Sequence, residues 1–146
     1  MTSSTEINQC LSILENYVGT FSKDGLPLID ISENTTKYLV VNTDPAHKRG
    51  EHWLGLVLRK NKCLYFDSFG LKIVDKEILN YLYNLGYTRY TYSGKCIQPF
   101  YSNKCAYYVI CFILSDYSGK TYKNFILNFK SLRSNDTTVI NMLKKY

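Results

Sequence analysis

Residues 98–114 have the sequence QPFYSNKCAYYVICFIL, in which a polar loop ends at Cys105 and nine uncharged, mostly apolar residues follow. An apolar run without a polar side indicates a helix that is buried all round. The first turn of such a helix favours an anion and lowers the pKa of a thiol. The same residue types also favour a buried β-strand with an inert, structural cysteine, which is the commoner situation. This stretch alone leaves both interpretations open.

Length and composition predict one soluble domain, residues 1–146, with a core that needs no cross-links. No apolar run is long enough to cross a bilayer, and the N-terminus has no apolar signal core, so we expect no membrane insertion and no secretion. The five cysteines are odd in number and include no Cys-x-x-Cys pair. We therefore expect reduced thiols and no metal site.

The pattern predicts an α+β fold, with a mixed β-sheet packed against helices and a buried central helix that carries Cys105 at its N-terminus. A loop is expected over residues 43–50, which contain charges, Pro and Gly. The predicted strands are Tyr38–Asn42, His52–Leu58, Cys63–Asp67 and Thr88–Tyr92. The other predicted helices are one to about Asn16 with a Ser3/Glu6 capping box, one capped by Asp75 and ended by Gly86, one over Tyr122–Leu132, and one capped by Asp136.

Four residues could together perform cysteine-protease chemistry. His52 opens one strand of a predicted hairpin and Asp67 closes the other, so antiparallel pairing brings them close to within a residue or two. A thiolate, a histidine that carries its proton and a carboxylate that orients the histidine would then be Cys105, His52 and Asp67. Gln98, seven residues before Cys105, could donate its side-chain amide to an oxyanion beside the Cys105 backbone N–H. Each residue alone has an ordinary structural explanation, and their joint order carries the hypothesis.

In this order the sequence resembles the adenovirus-type cysteine endopeptidases (adenain) and, more distantly, the related SUMO-deconjugating proteases. The resemblance covers roughly residues 10–115. It is carried by HW at 52–53, YFDSFG at 65–70 and Gln98 before Cys105, and on the adenain side by YVGTF at 17–21, VVNT at 40–43, GEHW at 50–53 and PFYSNKC at 99–105.

The resemblance implies an α+β fold and a role for each residue. Cys105 is the nucleophile, His52 the general base, Asp67 its orienting acid and Gln98 the oxyanion donor. It further implies that Trp53 and Ala106 border the substrate. It implies no required cofactor, although viral DNA or a viral peptide can activate enzymes of this family.

The sequence departs from the family at several positions. Ala106 stands where glycine is usual, which tightens backbone approach there. Asp67 stands where adenoviral enzymes often have Glu, and the C-terminal part is shorter. In adenain the activating viral peptide forms a disulfide with a cysteine on the strand before the catalytic loop. Here the strand predicted at that place has no cysteine, and Cys96 comes later. Covalent activation by a peptide therefore does not carry over.

We expect a thiol endopeptidase that cleaves viral or virus-like precursor proteins at glycine-containing sites. It would act as a monomer in a virion or in the nucleus or cytoplasm of a host cell. Two alternatives remain open at this point: a protease that removes a ubiquitin-like modifier, and an inactive relative that binds nucleic acid or a capsid.

The C-terminal region holds most of the net charge of +6, since residues 119–146 contain six basic residues and one acidic residue. Aromatic residues lie between the basic ones. This pattern predicts non-specific DNA binding, with its ordinary alternative of solvated helices whose aromatics face the core. The candidate DNA contacts are Lys120, Lys123, Lys130 and Arg133.

Overall fold

The computed structural model describes residues 3–32, 34–43 and 52–146, so the loop predicted over residues 43–50 lies outside them except for residue 43. The elements, in chain order, are α1 (Ser4–Leu11), β1 (Tyr17–Ser22), β2 (Lys37–Asn42), β3 (Trp53–Arg59), β4 (Lys62–Phe66), α2 (Lys76–Asn84), α3 (Cys105–Tyr117), α4 (Tyr122–Leu127) and α5 (Leu132–Leu143).

The sheet has the strand order β1-β2-β3-β4 and is mixed, because β1 and β2 pair in parallel and the other pairs are antiparallel. Strand β3 is buried on both faces. Trp53 and Val57 point into the core that contains α3, whereas the side chains between them point into a second core with Ile78 and Leu82 of α2. This division follows from the period of two along a strand.

Helix α3 runs through the centre of the larger core, and nearly all of its residues are buried. It packs directly on β3 at Gly55, where a Cβ would lie 3.4 and 3.5 Å from Val109 and Phe112, in ordinary van der Waals contact. Phe112 also stacks on Phe66 of β4, with 4.7 Å between ring centroids. The predicted α+β fold is confirmed, with Cys105 as the first residue of its central helix. Within the described ranges, no helix is long and apolar enough to span a membrane.

The N-terminal prediction is partly wrong. The Ser3/Glu6 capping box is present, but α1 ends at Leu11, and Leu14 reaches the core from a turn that follows it. Strand β1 was not predicted. It is half-buried along its whole length and lies at the edge of the sheet, so it shows no alternation of apolar and polar residues.

The strand predicted over Thr88–Tyr92 is also wrong. Only Thr91 pairs with β4, through an isolated bridge to Leu64. Tyrosines in and directly before this segment instead bond to neighbouring backbone: Tyr87 donates its hydroxyl to the carbonyl of Arg59, and Tyr90 accepts the N–H of Ile73. A residue type that favours strands is used here for loop contacts.

The helix predicted over Tyr122–Leu132 is too long, because α4 ends at Leu127 and residues 128–131 belong to no helix. The Asn128 amide donates to the carbonyls of residues 124 and 125 and ends α4. Helix α5 then begins after Ser131, so Asp136 lies inside it and is not its cap. On α2, Asp75 occupies the N-cap position but bonds Lys23 at 3.0 Å, and Gly86 follows the helix end with a φ of +103°.

Candidate active site

Cys105, His52 and Asp67 meet where α3 begins and the β3–β4 hairpin opens. The Nε2 atom of His52 lies 2.8 Å from Oδ1 of Asp67. The hairpin register places Gly55 opposite Phe66, which puts Phe69 nearest to the position facing His52. The predicted proximity of His52 and Asp67 is therefore present, although their register differs by two residues from direct pairing.

The His52 ring is held on two sides. The ring of Phe69 stacks on it, with 4.9 Å between centroids and 26° between planes. The same Oδ1 atom of Asp67 accepts the N–H of Phe69 at 2.9 Å, which holds the carboxylate in place. Sequence reasoning did not single out Phe69; an aromatic residue two positions after the aspartate was the available signal.

The imidazole links Asp67 to the thiol of Cys105. Since Nε2 faces the carboxylate, Nδ1 is the atom left for sulfur. Burial alone would lower the pKa of His52, but hydrogen bonds to Asp67 and Cys105, and their charges, raise that pKa to about 9. The ring is therefore held protonated at neutral pH.

The thiol of Cys105 shows the opposite shift. Burial alone would raise its pKa, but the hydrogen bond from His52, N–H groups of Trp53 and Ala106 and the imidazolium charge together lower it below its usual value. The opposite directions of the two pKa shifts favour a pair of thiolate and imidazolium over a neutral thiol and a neutral imidazole.

Other cysteines lie in environments that suppress the thiolate. Burial raises the pKa values of Cys63 and Cys111 to about 12. Burial also raises the pKa of Cys96, with a further contribution from Asp67. Cys105 therefore has the environment of a nucleophile, whereas these three do not.

Gln98 is almost fully buried, at 1% exposure, and its amide is oriented by two contacts. Oε1 accepts the hydroxyl of Ser68, and Nε2 donates to the carbonyl of Ser102 at 2.9 Å. A carbonyl can only accept, so this contact identifies the nitrogen. An amide nitrogen carries two hydrogens, and the second can be donated to a ligand in the cleft.

The backbone after Asp67 holds the segment that carries Gln98. The carbonyl of Ser68 accepts the N–H groups of Ile97 and Gln98 at 2.9 and 3.0 Å. Gly70 permits this close approach: its φ is +77°, and a Cβ there would lie 2.4 Å from the carbonyl carbon of Lys95. The hairpin thus positions both the orienting acid and the candidate oxyanion donor.

These groups surround a cleft of about 270 Å³. Trp53, predicted to border the substrate, is part of its wall. Ala106 is buried at 2% exposure and contributes its backbone N–H to the sulfur. The residues that line the cleft are His52, Trp53, Phe69, Gln98, Ser102, Asn103 and Cys105.

The predicted DNA contacts lie elsewhere, at the C-terminal helices. Lys120, Lys123, Lys130 and Arg133 are all exposed. Lys120 lines a second cavity of about 250 Å³, and two basic residues of the β3–β4 hairpin, Arg59 and Lys62, line it too. The aromatic residues between them face inward: residues 125 and 129 are buried in the core. The exposed surface therefore carries the four basic side chains, whereas the aromatic rings of residues 125 and 129 are not part of it.

No cluster of three or more His, Cys, Asp or Glu side chains that could hold a metal occurs in the part of the chain that the structure describes.

No protein-family model and no curated protein matches this chain. Among solved structures, it is similar to the crystal structure of the ASFV pS273R protease, with a TM-score of 0.53 and 17% sequence identity. The likeness shows a shared fold. It covers 74% of this chain and 42% of that one, so this chain spans less than half the length of the viral protease. The fold that the resemblance implied is thereby confirmed, and membership of the family stays a prediction.

Proposed function

We propose that this protein is a cysteine endopeptidase of the adenain type. One observation carries the proposal. The His52 imidazole lies 2.8 Å from the Asp67 carboxylate, which orients it, and the same imidazole lowers the pKa of the Cys105 thiol at the start of a buried helix. A buried structural cysteine would have its pKa raised, as Cys63 and Cys111 do. The shared fold with a viral protease supports the same function.

The residues would act in two stages. The Cys105 thiolate attacks the carbonyl carbon of the scissile peptide, and the oxyanion receives hydrogen bonds from Gln98 and the Cys105 backbone N–H. His52 then gives its proton to the leaving amine, which leaves a thioester on Cys105. In the second stage His52 removes a proton from water as the water oxygen attacks the thioester carbonyl. The tetrahedral intermediate then breaks its C–S bond, which releases the acid product and restores the Cys105 thiolate beside the His52 imidazolium. Asp67 stabilises the imidazolium throughout.

Substrates cleaved after glycine suit the shape of the cleft. Its volume is small, and the rings of Phe69 and Trp53 and the buried Gln98 side chain form part of its lining. A residue without a side chain would pass most easily between such walls. Together with the resemblance to adenain, this favours glycine-containing sites in viral or virus-like precursor proteins. The C-terminus of a ubiquitin-like modifier is the competing substrate.

The two substrate classes can be separated directly. We expect hydrolysis of fluorogenic peptides with glycine before the scissile bond, and much slower hydrolysis of a fluorogenic ubiquitin-like conjugate. The reverse preference would establish the deconjugating function instead. Absence of turnover with both substrates, together with no labelling of Cys105 by a peptide electrophile, would indicate the inactive relative and contradict the proposal.

Gln98 and Asp67 should contribute unequally to turnover. Removing an oxyanion donor typically costs about 100- to 1,000-fold in kcat, and we expect this loss in Gln98→Ala. Asp67→Asn should cost less, because Cys105 still stabilises the imidazolium. Steady-state kinetics on the glycine peptide measure both effects. A larger loss in Asp67→Asn than in Gln98→Ala would contradict this ranking.

We also propose that duplex DNA binds the exposed basic side chains of the C-terminal helices, away from the cleft. Contacts of this kind are made to phosphates, so binding should have no sequence preference and should weaken steeply with salt. In fluorescence anisotropy, the Lys120/Lys123/Lys130 triple alanine variant should bind more weakly and with a shallower salt dependence, by about one unit of slope per lost contact. A Lys60/Lys72/Lys76 triple alanine variant removes equal charge elsewhere and is the control. Equal weakening in both variants would show only a general charge effect.

A further inference from the structure

Ser102 contacts both groups that would donate to the oxyanion. Its carbonyl accepts Nε2 of Gln98 at 2.9 Å. Its hydroxyl accepts the backbone N–H of Lys104 at 3.1 Å, and Lys104 is the N-cap residue directly before Cys105. One residue therefore sets the position of the Gln98 amide and of the backbone that leads into the Cys105 N–H.

The hydroxyl of Ser102 is itself held from another part of the chain. It donates to Oδ1 of Asp136 at 3.1 Å, and the same oxygen accepts the hydroxyl of Tyr108 at 2.7 Å. Asp136 belongs to α5 and Tyr108 to the first turn of α3. The carboxylate thus ties the loop before Cys105 to the helix that Cys105 begins. Hydrogen bonds to a charged acceptor are stronger than those between neutral groups, which suits a positioning contact.

The neighbouring residue of α5 holds the other end of the same loop. Asn135 is 2% exposed and donates to the carbonyl of Ile97 at 2.8 Å. Ile97 directly precedes Gln98. Two adjacent side chains of α5 therefore hold the loop at two points: Asn135 bonds it just before Gln98, and Asp136 bonds it at Ser102.

We propose that Ser102 and Asp136 are positioning residues that set the geometry of the oxyanion site, with Asp136 acting through Ser102. This inference rests on the proposed peptidase function. Neither residue is needed to form the thiolate, since the pKa of Cys105 is set by burial, by His52 and by N–H groups of Trp53 and Ala106. Their loss should consequently impair reactions that pass through an oxyanion and spare those that do not.

Peptide hydrolysis and alkylation by iodoacetamide separate these two kinds of reaction. Hydrolysis passes through a tetrahedral oxyanion. In alkylation the thiolate displaces iodide from carbon, and no oxyanion forms. Asp136→Ala should lower kcat for the glycine peptide by about 10- to 100-fold, less than loss of a donor itself, with little change in KM. The rate of Cys105 alkylation should remain that of the wild type.

Three further variants complete the experiment. Asp136→Asn keeps an acceptor oxygen and should recover most of the lost kcat, whereas Ser102→Ala should lower kcat without touching the buried part of α5. Thr137→Ala alters an exposed residue next to Asp136 and should behave as wild type. Thermal denaturation establishes that each variant is folded.

The outcomes are distinct. Unchanged kcat in both Asp136→Ala and Ser102→Ala, with an active wild type, would overturn the positioning role. A parallel fall of kcat and alkylation in folded variants would also overturn it, because the effect would then lie on the thiolate. A wild type that hydrolyses no peptide would refute the proposed function, and the positioning role with it.

Discussion

Cys105→Ala should abolish peptide hydrolysis while the protein remains folded. The substitution removes the attacking sulfur, and loss of a nucleophile of this kind costs about 10⁴-fold or more in turnover. The change in packing is small, because one buried atom is lost at the edge of the core, where the side chain is 9% exposed. Steady-state kinetics and thermal denaturation measure the two quantities.

The matched control is Cys10→Ala, which removes an exposed thiol on α1 and should leave turnover unchanged. Activity in Cys105→Ala above a few per cent of wild type would exclude this residue as the nucleophile. Equal losses in both cysteine variants would point to damage of the fold.

His52→Ala should have the second largest effect, a loss of at least about 10³-fold in kcat. The imidazole both stabilises the thiolate and supplies the proton to the leaving amine. Burial raises the pKa of the Cys105 thiol, and the hydrogen bond from His52 is the main interaction that lowers it. In His52→Ala that hydrogen bond is lost and burial remains, so the thiol pKa should rise. Alkylation by iodoacetamide should slow, by about tenfold for each unit by which the raised thiol pKa exceeds the pH of the assay.

The pH profile of the wild type gives the sign of both shifts. As pH falls, kcat/KM should decrease when the thiolate takes up a proton, at a pH below the usual range for a thiol. As pH rises, kcat/KM should decrease near about 9, where the imidazolium loses the proton that the leaving group needs. A profile that rises continuously to alkaline pH would contradict the ion pair. Asp67→Asn retains the imidazole but removes the charge of Asp67, and it is this charge that raises the His52 pKa. The decrease in kcat/KM at high pH should therefore begin at a lower pH in this variant.

Local pattern was sufficient to predict the parts of the site that lie next to regular structure. The apolar run after Cys105 predicted a buried helix, and the hairpin predicted that His52 would approach Asp67. Both features follow from short-range periodicity and from antiparallel pairing. Phe69 was missed because the pairing register, and with it the residue facing His52, depends on the turn at residues 60–61.

Contacts between distant segments could not be predicted in this way. Asp136 looked like the cap of a short helix, because Asp followed by an apolar pattern is a common helix start. Its carboxylate instead binds Ser102 and Tyr108, 34 and 28 positions earlier in the chain, and this contact depends on how α5 packs against α3. Strand β1 was missed for a related reason, since its partner β2 lies some 20 residues on and its own residues show no period of two.

Covalent labelling tests the central claim most directly. The wild-type protein is incubated with a glycine-terminated peptide that carries a thiol-reactive electrophile, and the adduct is located by peptide mass spectrometry. One adduct per chain, on Cys105, is predicted, and it should be absent from Cys105→Ala and strongly reduced in His52→Ala. Labelling of Cys10 or Cys96 in preference to Cys105, or labelling that His52→Ala leaves unchanged, would contradict a nucleophile activated by His52.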